Sequence, residues 1–165
     1  MKEWILKAAK NREAVDKLLG MVDQNTLSCG QLLLTPAMIP LIFRVLGDGD
    51  LTVENVKMTG DGGVSLDVRL KNGMSFRYVF RLVSAVLRDG QLIVKAKYSE
   101  EKLSSGIGSA LLNLTGKTGL AVALGKNDWA HADGSNVEIN RKGLPRSLSA
   151  SFVRCAPGGF VFRIE

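Results

Sequence analysis

The sequence is poor in the residues that most often carry chemistry. It has one histidine, His131, and two cysteines, Cys29 and Cys155, in 165 residues. Zinc sites gather several Cys, His or carboxylate ligands at characteristic spacings, and neither the lone histidine nor the distant cysteines offer one. The cysteines also lack CxxC spacing, so two free thiols are expected rather than a disulfide framework. No metal and no cofactor is predicted. Long hydrophobic runs are missing as well. The longest, from Leu32 to Leu46, is broken by Pro36, Pro40 and Arg44, and a membrane helix needs roughly 18 uninterrupted apolar residues. The stretch from Met1 to Glu13 has no apolar core of a secretory signal, so a cytoplasmic location is expected. Aromatic residues are scarce, at 6%, which leaves Leu, Val, Ala and Ile to build the core.

What is present describes an ordinary folded chain. With 45% hydrophobic and 23% charged residues, it has the composition of a globular protein, and its length suits a single domain spanning 1–165. Lys and Arg number 22 against 16 acidic residues, a formal charge of +6. That balance favours anionic partners: nucleic acid, phospholipid headgroups or acidic proteins.

Periodicity divides the chain into a helical part, 1–50, and a sheet, 51–165, with one helical insertion. Residues 2 to about 22 are amphipathic at helical spacing, with Val15, Leu18, Leu19 and Val22 near one side. Thr35-Pro36 reads as an N-cap and a first-turn proline, opening a second helix that Gly47-Asp48-Gly49-Asp50 stops. Met38, Leu41, Ile42, Val45 and Leu46 make that helix apolar around most of its circumference. From residue 51 the period becomes two. Val64, Leu66, Val68 and Leu70 alternate with polar residues as far as Asn72-Gly73, a strong hairpin signal. Met74, Phe76, Tyr78, Phe80 and Leu82 alternate likewise, and after Asp89-Gly90 so do Leu92, Val94, Ala96 and Tyr98. Residues 100–113 read as a third helix entered around Ser99, with Glu100 and Glu101 in its first turn. Strands return over 136–141, 148–155 and 160–165. The expected fold is α+β: an antiparallel sheet of about five or six strands with helices packed on one face.

The string Leu114-Thr-Gly-Lys-Thr-Gly119 resembles the end of a phosphate-binding P-loop. A P-loop needs a glycine five residues before the Gly-Lys pair so that backbone N–H groups can curl around phosphate. Leu111 stands there, Gly119 would open the next helix, and no strand ends in a magnesium-binding carboxylate. The string reads as a bend, and no nucleotide is expected at Lys117. His131 has Asp128 and Asp133 nearby as orienting carboxylates but no nucleophile context. A hydrolase using His131 is therefore the third functional reading.

Two surfaces remain. The polar sheet face carries Arg69, Arg77, Arg81, Lys95 and Lys97, with Phe76, Tyr78 and Phe80 on the opposite face. A sheet that reads RNA places stacking aromatics among its cations; here phosphate binding without base readout is expected instead. The second surface is apolar. Ile42 and Leu46 of the second helix, Phe76, Phe80 and Leu82 of the sheet, and Leu111 can point into one interior. They would line a cradle for an apolar ligand, with arginines near its rim for a headgroup.

The run Leu51-Thr-Val-Glu-Asn-Val-Lys-Met58, the strands through Tyr98, a helix, then Val137-Glu-Ile-Asn140 with Leu144-Pro145 and a closing hairpin resembles a bacterial group. It is the small tubular, TULIP-like lipid-binding proteins, which include the LmeA-like envelope proteins. The likeness covers roughly residues 50–165 and implies lipid binding without a catalytic residue. The leading expectation is thus a non-enzymatic, lipid-related binding protein that meets an anionic headgroup or membrane surface. A protein- or nucleic-acid-binding scaffold comes second, and a homodimer would be one way to cover excess apolar surface.

Overall fold

Two long strands organise the molecule. The computed structural model describes residues 6, 8–46, 51–70, 73–103, 119–124 and 128–165. Among these the chain forms α1 (Arg12–Met21), α2 (Gln24–Ser28), β1 (Gln31–Leu34), α3 (Met38–Leu46), β2 (Leu51–Met58), β3 (Val64–Leu70), β4 (Ser75–Arg88) and β5 (Gln91–Lys102). Then follow α4 (Gly119–Ala123), β6 (Ala130–Asp133), β7 (Asn136–Arg141), β8 (Ala150–Ala156) and β9 (Gly159–Ile164). The strands join in one antiparallel sheet with the path β1-β9-β8-β4-β5-β7-β6, and β2–β3 attaches to β4 off that path.

The fork comes from β4, which is 14 residues long. Its first half pairs with β3, and Val86 and Leu87 near its end pair with β8 along the same edge. The other edge is held by β5 throughout, except for a bulge between Leu82 and Ser84. A bulge bends its strand and increases the local twist, so it falls where β4 passes from one partner to the other. The β4–β5 turn is Asp89-Gly90, with φ of 53° and 77°. These left-handed values at both positions are those of the tight hairpin turn that Asp-Gly predicts.

Nine strands stand among the described residues where about five or six were expected. β1 and β6 have only four residues each, too few for alternation to be visible. Nor are the helices clearly packed on one face. α1 lies on α3, α3 reaches β2, α2 lies beside β1, and α4 meets β6. Short connections hold α2 next to β1 and α3 next to β2 in the chain. The helix expected from residue 100 is corrected too. Ser99–Lys102 extend β5, and Tyr78 pairs with Glu100 and Arg77 with Glu101. The two glutamates suit a helix's first turn, but here they meet a tyrosine and an arginine across the ladder. Cross-strand partners have overridden local propensity. Residues 104–113 of that expected helix lie outside the described residues, as do Met1–Ile5 and Lys7 of the first one.

The core lies on the inner face. Val64, Leu66 and Val68 of β3 stand opposite Phe80, Tyr78 and Phe76 of β4, and Tyr98 of β5 stands opposite Phe80. The rings form a chain, Phe76–Tyr78 at 6.0 Å, Tyr78–Phe80 at 5.5 Å and Phe80–Tyr98 at 5.9 Å between centroids. A second aromatic group, Phe152 with Phe160 and Phe162, continues the apolar face across β8 and β9. Ile39 of α3 joins the core. Pro40, the third residue of α3, is tolerated because the first N–H groups of a helix have no intrahelical acceptor. The sharp entry to β9 needs glycine: Gly159 has φ 151°, and a Cβ there would overlap the carbonyl oxygen of Leu34.

Candidate functional site

The outer face of the sheet carries all five predicted cations. Alternation along β3 and β4 puts Arg69, Arg77 and Arg81 on one side, and Arg81 pairs across the ladder with Lys97, two residues from Lys95. Their electrostatic situations differ. Arg77 donates from Nε to Asp67 Oδ1 at 2.9 Å and from Nη2 to Oδ2 at 3.3 Å, a two-pronged pairing, while Asn55 donates to the same carboxylate at 2.9 Å. Arg69 donates to Glu54 at 2.7 Å, and Arg81 is paired with Asp61 of the β2–β3 turn. The hydrogen bond from Arg77, then that from Asn55, holds the Asp67 carboxyl below its ordinary range. Asp61 is lowered chiefly by the hydrogen bond from Thr59, with the Arg81 charge adding to it. Lys95 and Lys97 are exposed and make no ion pair among the described residues. Three of the five cations are thus locally neutralised and two are not.

The same face has an apolar part, of which periodicity announced only Val83. Val83 sits in the β4 bulge and is 57% exposed; Val86 and Val153 are 39% and 43% exposed. Ser151 is the partner of Val86, and Val153 follows two residues later at a second bulge, between Phe152 and Arg154. Alternation already assigns Val83 to the outer face with Arg77 and Arg81, but it assigns Val86 to the inner face, alongside Phe76 and Tyr78. Only the bulge turns Val86 outward, and nothing in the sequence marks that place. At the opposite end of the outer face, a shallow depression of about 270 Å³ is walled by Glu54, Asp67, Val68, Arg69, Ser75 and Leu103. Its charges already satisfy one another.

The residues named for an apolar ligand are partly brought together. Phe76 is 1% exposed, at the centre of the core, and Phe80 and Leu82 are half-buried against it. Ile42 is half-buried on α3. The side chain of Leu46 and the whole of Leu111 lie outside the described residues. Among the described residues the inner face around Phe76 and Tyr78 is filled by side chains, since both rings are nearly inaccessible.

Glu100, which sequence reading placed in a helix, does structural work on that inner face. Its carboxylate accepts from Tyr78 Oη at 2.8 Å, from the Gly119 N–H at 2.8 Å and from the Leu120 N–H at 3.0 Å. Burial, reinforced by this bond and the neighbouring negative charge, raises the Tyr78 phenol far above its ordinary range, so it stays a donor. Gly119 sits so close to Phe76 that a Cβ would come within 2.5 Å of the ring. The backbone N–H groups that follow the GKT string are therefore taken by the protein's own carboxylate, and that negative charge opposes a phosphate at the same point. Gly116, Lys117 and Thr118 themselves lie outside the described residues.

His131 lies on β6, exposed, opposite Glu138. Cys155 donates its thiol to the Gly62 carbonyl at 3.0 Å, and burial raises its pKa, whereas Cys29 is exposed; both are free thiols. No helix among the described residues is long and apolar enough to cross a membrane. No protein-family model, no curated protein and no solved structure matches this chain.

Proposed function

We propose that this protein is a non-enzymatic, lipid-related binding protein that meets an anionic surface with the outer face of β4 and β5. One observation carries the proposal. Arg69, Arg77 and Arg81 on that face each have a carboxylate partner, while Lys95 and Lys97 have none among the described residues. An arginine already paired gives up one ion pair to form another and gains little. An unpaired lysine contributes its whole attraction, about 1 kcal/mol near an anionic bilayer. The formal charge of +6 adds a longer-range pull. Phe76, Tyr78 and their neighbours serve in this reading as the rigid support of the face, and His131 has no catalytic part.

The test is co-sedimentation with phosphatidylcholine vesicles, with and without phosphatidylserine. Wild type binds only the anionic vesicles, and binding falls steeply as salt shortens the Debye length. Lys95→Glu with Lys97→Glu removes most of the binding. Arg77→Glu is the poorer probe, because it would set a new carboxylate beside Asp67 and Glu101 and disturb the sheet itself. Equal binding to neutral and anionic vesicles, or no binding to either, refutes the proposal.

A further inference from the structure

The two bulges on the outer face each leave a valine and the residue after it on the solvent side. Leu82 faces inward opposite Ala96, and Ser84 faces outward opposite Lys95; the inserted residue, Val83, joins Ser84 on the outer side. In β8, Phe152 faces inward opposite Phe162 and Cys155 inward opposite Phe160, so Val153 and Arg154 share the outer side opposite Val161. Val86, paired with Ser151 and with half-buried Ile93, is on the same side further along β4. The result is an exposed trio of valines, with Lys95 and Lys97 on one flank and Arg154 and Arg163 on the other. Arg163 is the cross-strand partner of Ser151, which fixes it on this face.

We propose that Val83, Val86 and Val153 form an insertion patch by which this face seats on the interface of an acidic phospholipid bilayer, with the flanking cations at the level of the headgroup phosphates. This rests on the anionic-surface reading above and adds to it the depth and orientation of docking. Charge complementarity selects the occupant. A ring of cations around an apolar centre matches a surface whose charged layer overlies hydrocarbon. Nucleic acid offers phosphates but gives three aliphatic side chains nothing to stack against. Glu138, the cross-strand partner of Lys95, lies on the far side of that lysine from the valines, so its charge falls outside the patch.

The experiment compares wild type, Val83→Asp with Val153→Asp, and the milder Val83→Ser with Val153→Ser on phosphatidylcholine/phosphatidylserine vesicles. All three positions are exposed, and unchanged circular dichroism verifies that the variants fold. Each valine that enters the interface strengthens binding by roughly tenfold. The aspartate variant therefore loses vesicle binding, the serine variant loses part of it, and the residual binding of the latter becomes more sensitive to salt. If both variants bind like wild type while the Lys95 and Lys97 reversals abolish binding, the face is purely electrostatic: the insertion patch is overturned and the anionic-surface reading survives. If wild type binds no vesicle, both fall. Loss of self-association by the aspartate variant in lipid-free sedimentation would assign the patch to a second copy of the chain and overturn the bilayer as its occupant.

Discussion

Replacing Glu100 by alanine should be among the most damaging single changes on the inner face, although the side chain is neither catalytic nor fully buried. Three donors converge on its carboxylate: the Tyr78 hydroxyl and the N–H groups of Gly119 and Leu120. A hydrogen bond to a charged group is worth about 1.5–3 kcal/mol, and removing the partner leaves a part-buried donor short of solvation. Losing a helix cap costs about 0.5–2 kcal/mol. Adding the tyrosine bond to the cap gives an expected loss of about 2–5 kcal/mol for Glu100→Ala. Tyr78→Phe removes only the first bond and should cost about 1.5–3 kcal/mol. The assay is urea unfolding of both single variants and the double variant. Because they share one bond, the double variant should be less destabilised than the sum, with a coupling energy above about 1 kcal/mol. Native-state hydrogen exchange at Gly119 and Leu120 should quicken in Glu100→Ala and not in Tyr78→Phe. A Glu100→Ala variant within about 0.5 kcal/mol of wild type, or strictly additive variants, would show that the carboxylate does not hold α4 to the sheet.

Two further outcomes are expected. The depressed Asp67 carboxyl lends stability that is present above its ordinary value of 3.8 and is lost as pH falls through its lower folded value. Acid titration of the urea midpoint should therefore show a decline below about pH 4 that Asp67→Asn reduces; an unchanged decline assigns it to other groups. Phe76→Ala should cost about 3–5 kcal/mol, and by the same amount with or without fatty acid or phospholipid, as befits a packed core. A lipid that raises the wild-type unfolding temperature but not that of the variant would instead place a ligand against Phe76.

Much of the sheet was legible because its signals are local. The alternation through Val64–Leu70, Phe76–Leu82 and Leu92–Tyr98 gave both strands and faces, and Asp89-Gly90 gave the turn. Asn136–Arg141 forms a strand with the expected ends. What escaped depends on partners distant in sequence. Ala130–Asp133 looks like a polar loop around His131 and becomes a strand only because β7 offers its edge. Glu100 belongs to a strand because Tyr78 waits across the ladder. On the candidate site, periodicity correctly grouped Arg69, Arg77, Arg81, Lys95 and Lys97, since shared parity is a local property. It could not tell the paired from the unpaired, because Asp61, Asp67 and Glu54 arrive from other strands and turns. The outward turn of Val86 was invisible for the same reason: a bulge is a mismatch between two strands, and one strand's sequence does not contain it.

The ladder between β1 and β9, which sets Gln31 opposite Arg163, has a consequence for the order in which this protein assembles. The hairpins β2–β3, β3–β4, β4–β5, β6–β7 and β8–β9 close between neighbours in the chain and can form early. Among the described residues β1 pairs with β9 alone, so it must wait until almost everything between them has been brought into place, and closing so large a loop delays that contact. Until then the exposed edge of β9 and the apolar Leu32–Leu34 are open to pairing with another chain. Refolding should therefore be slow in its final step and more prone to aggregation as protein concentration rises.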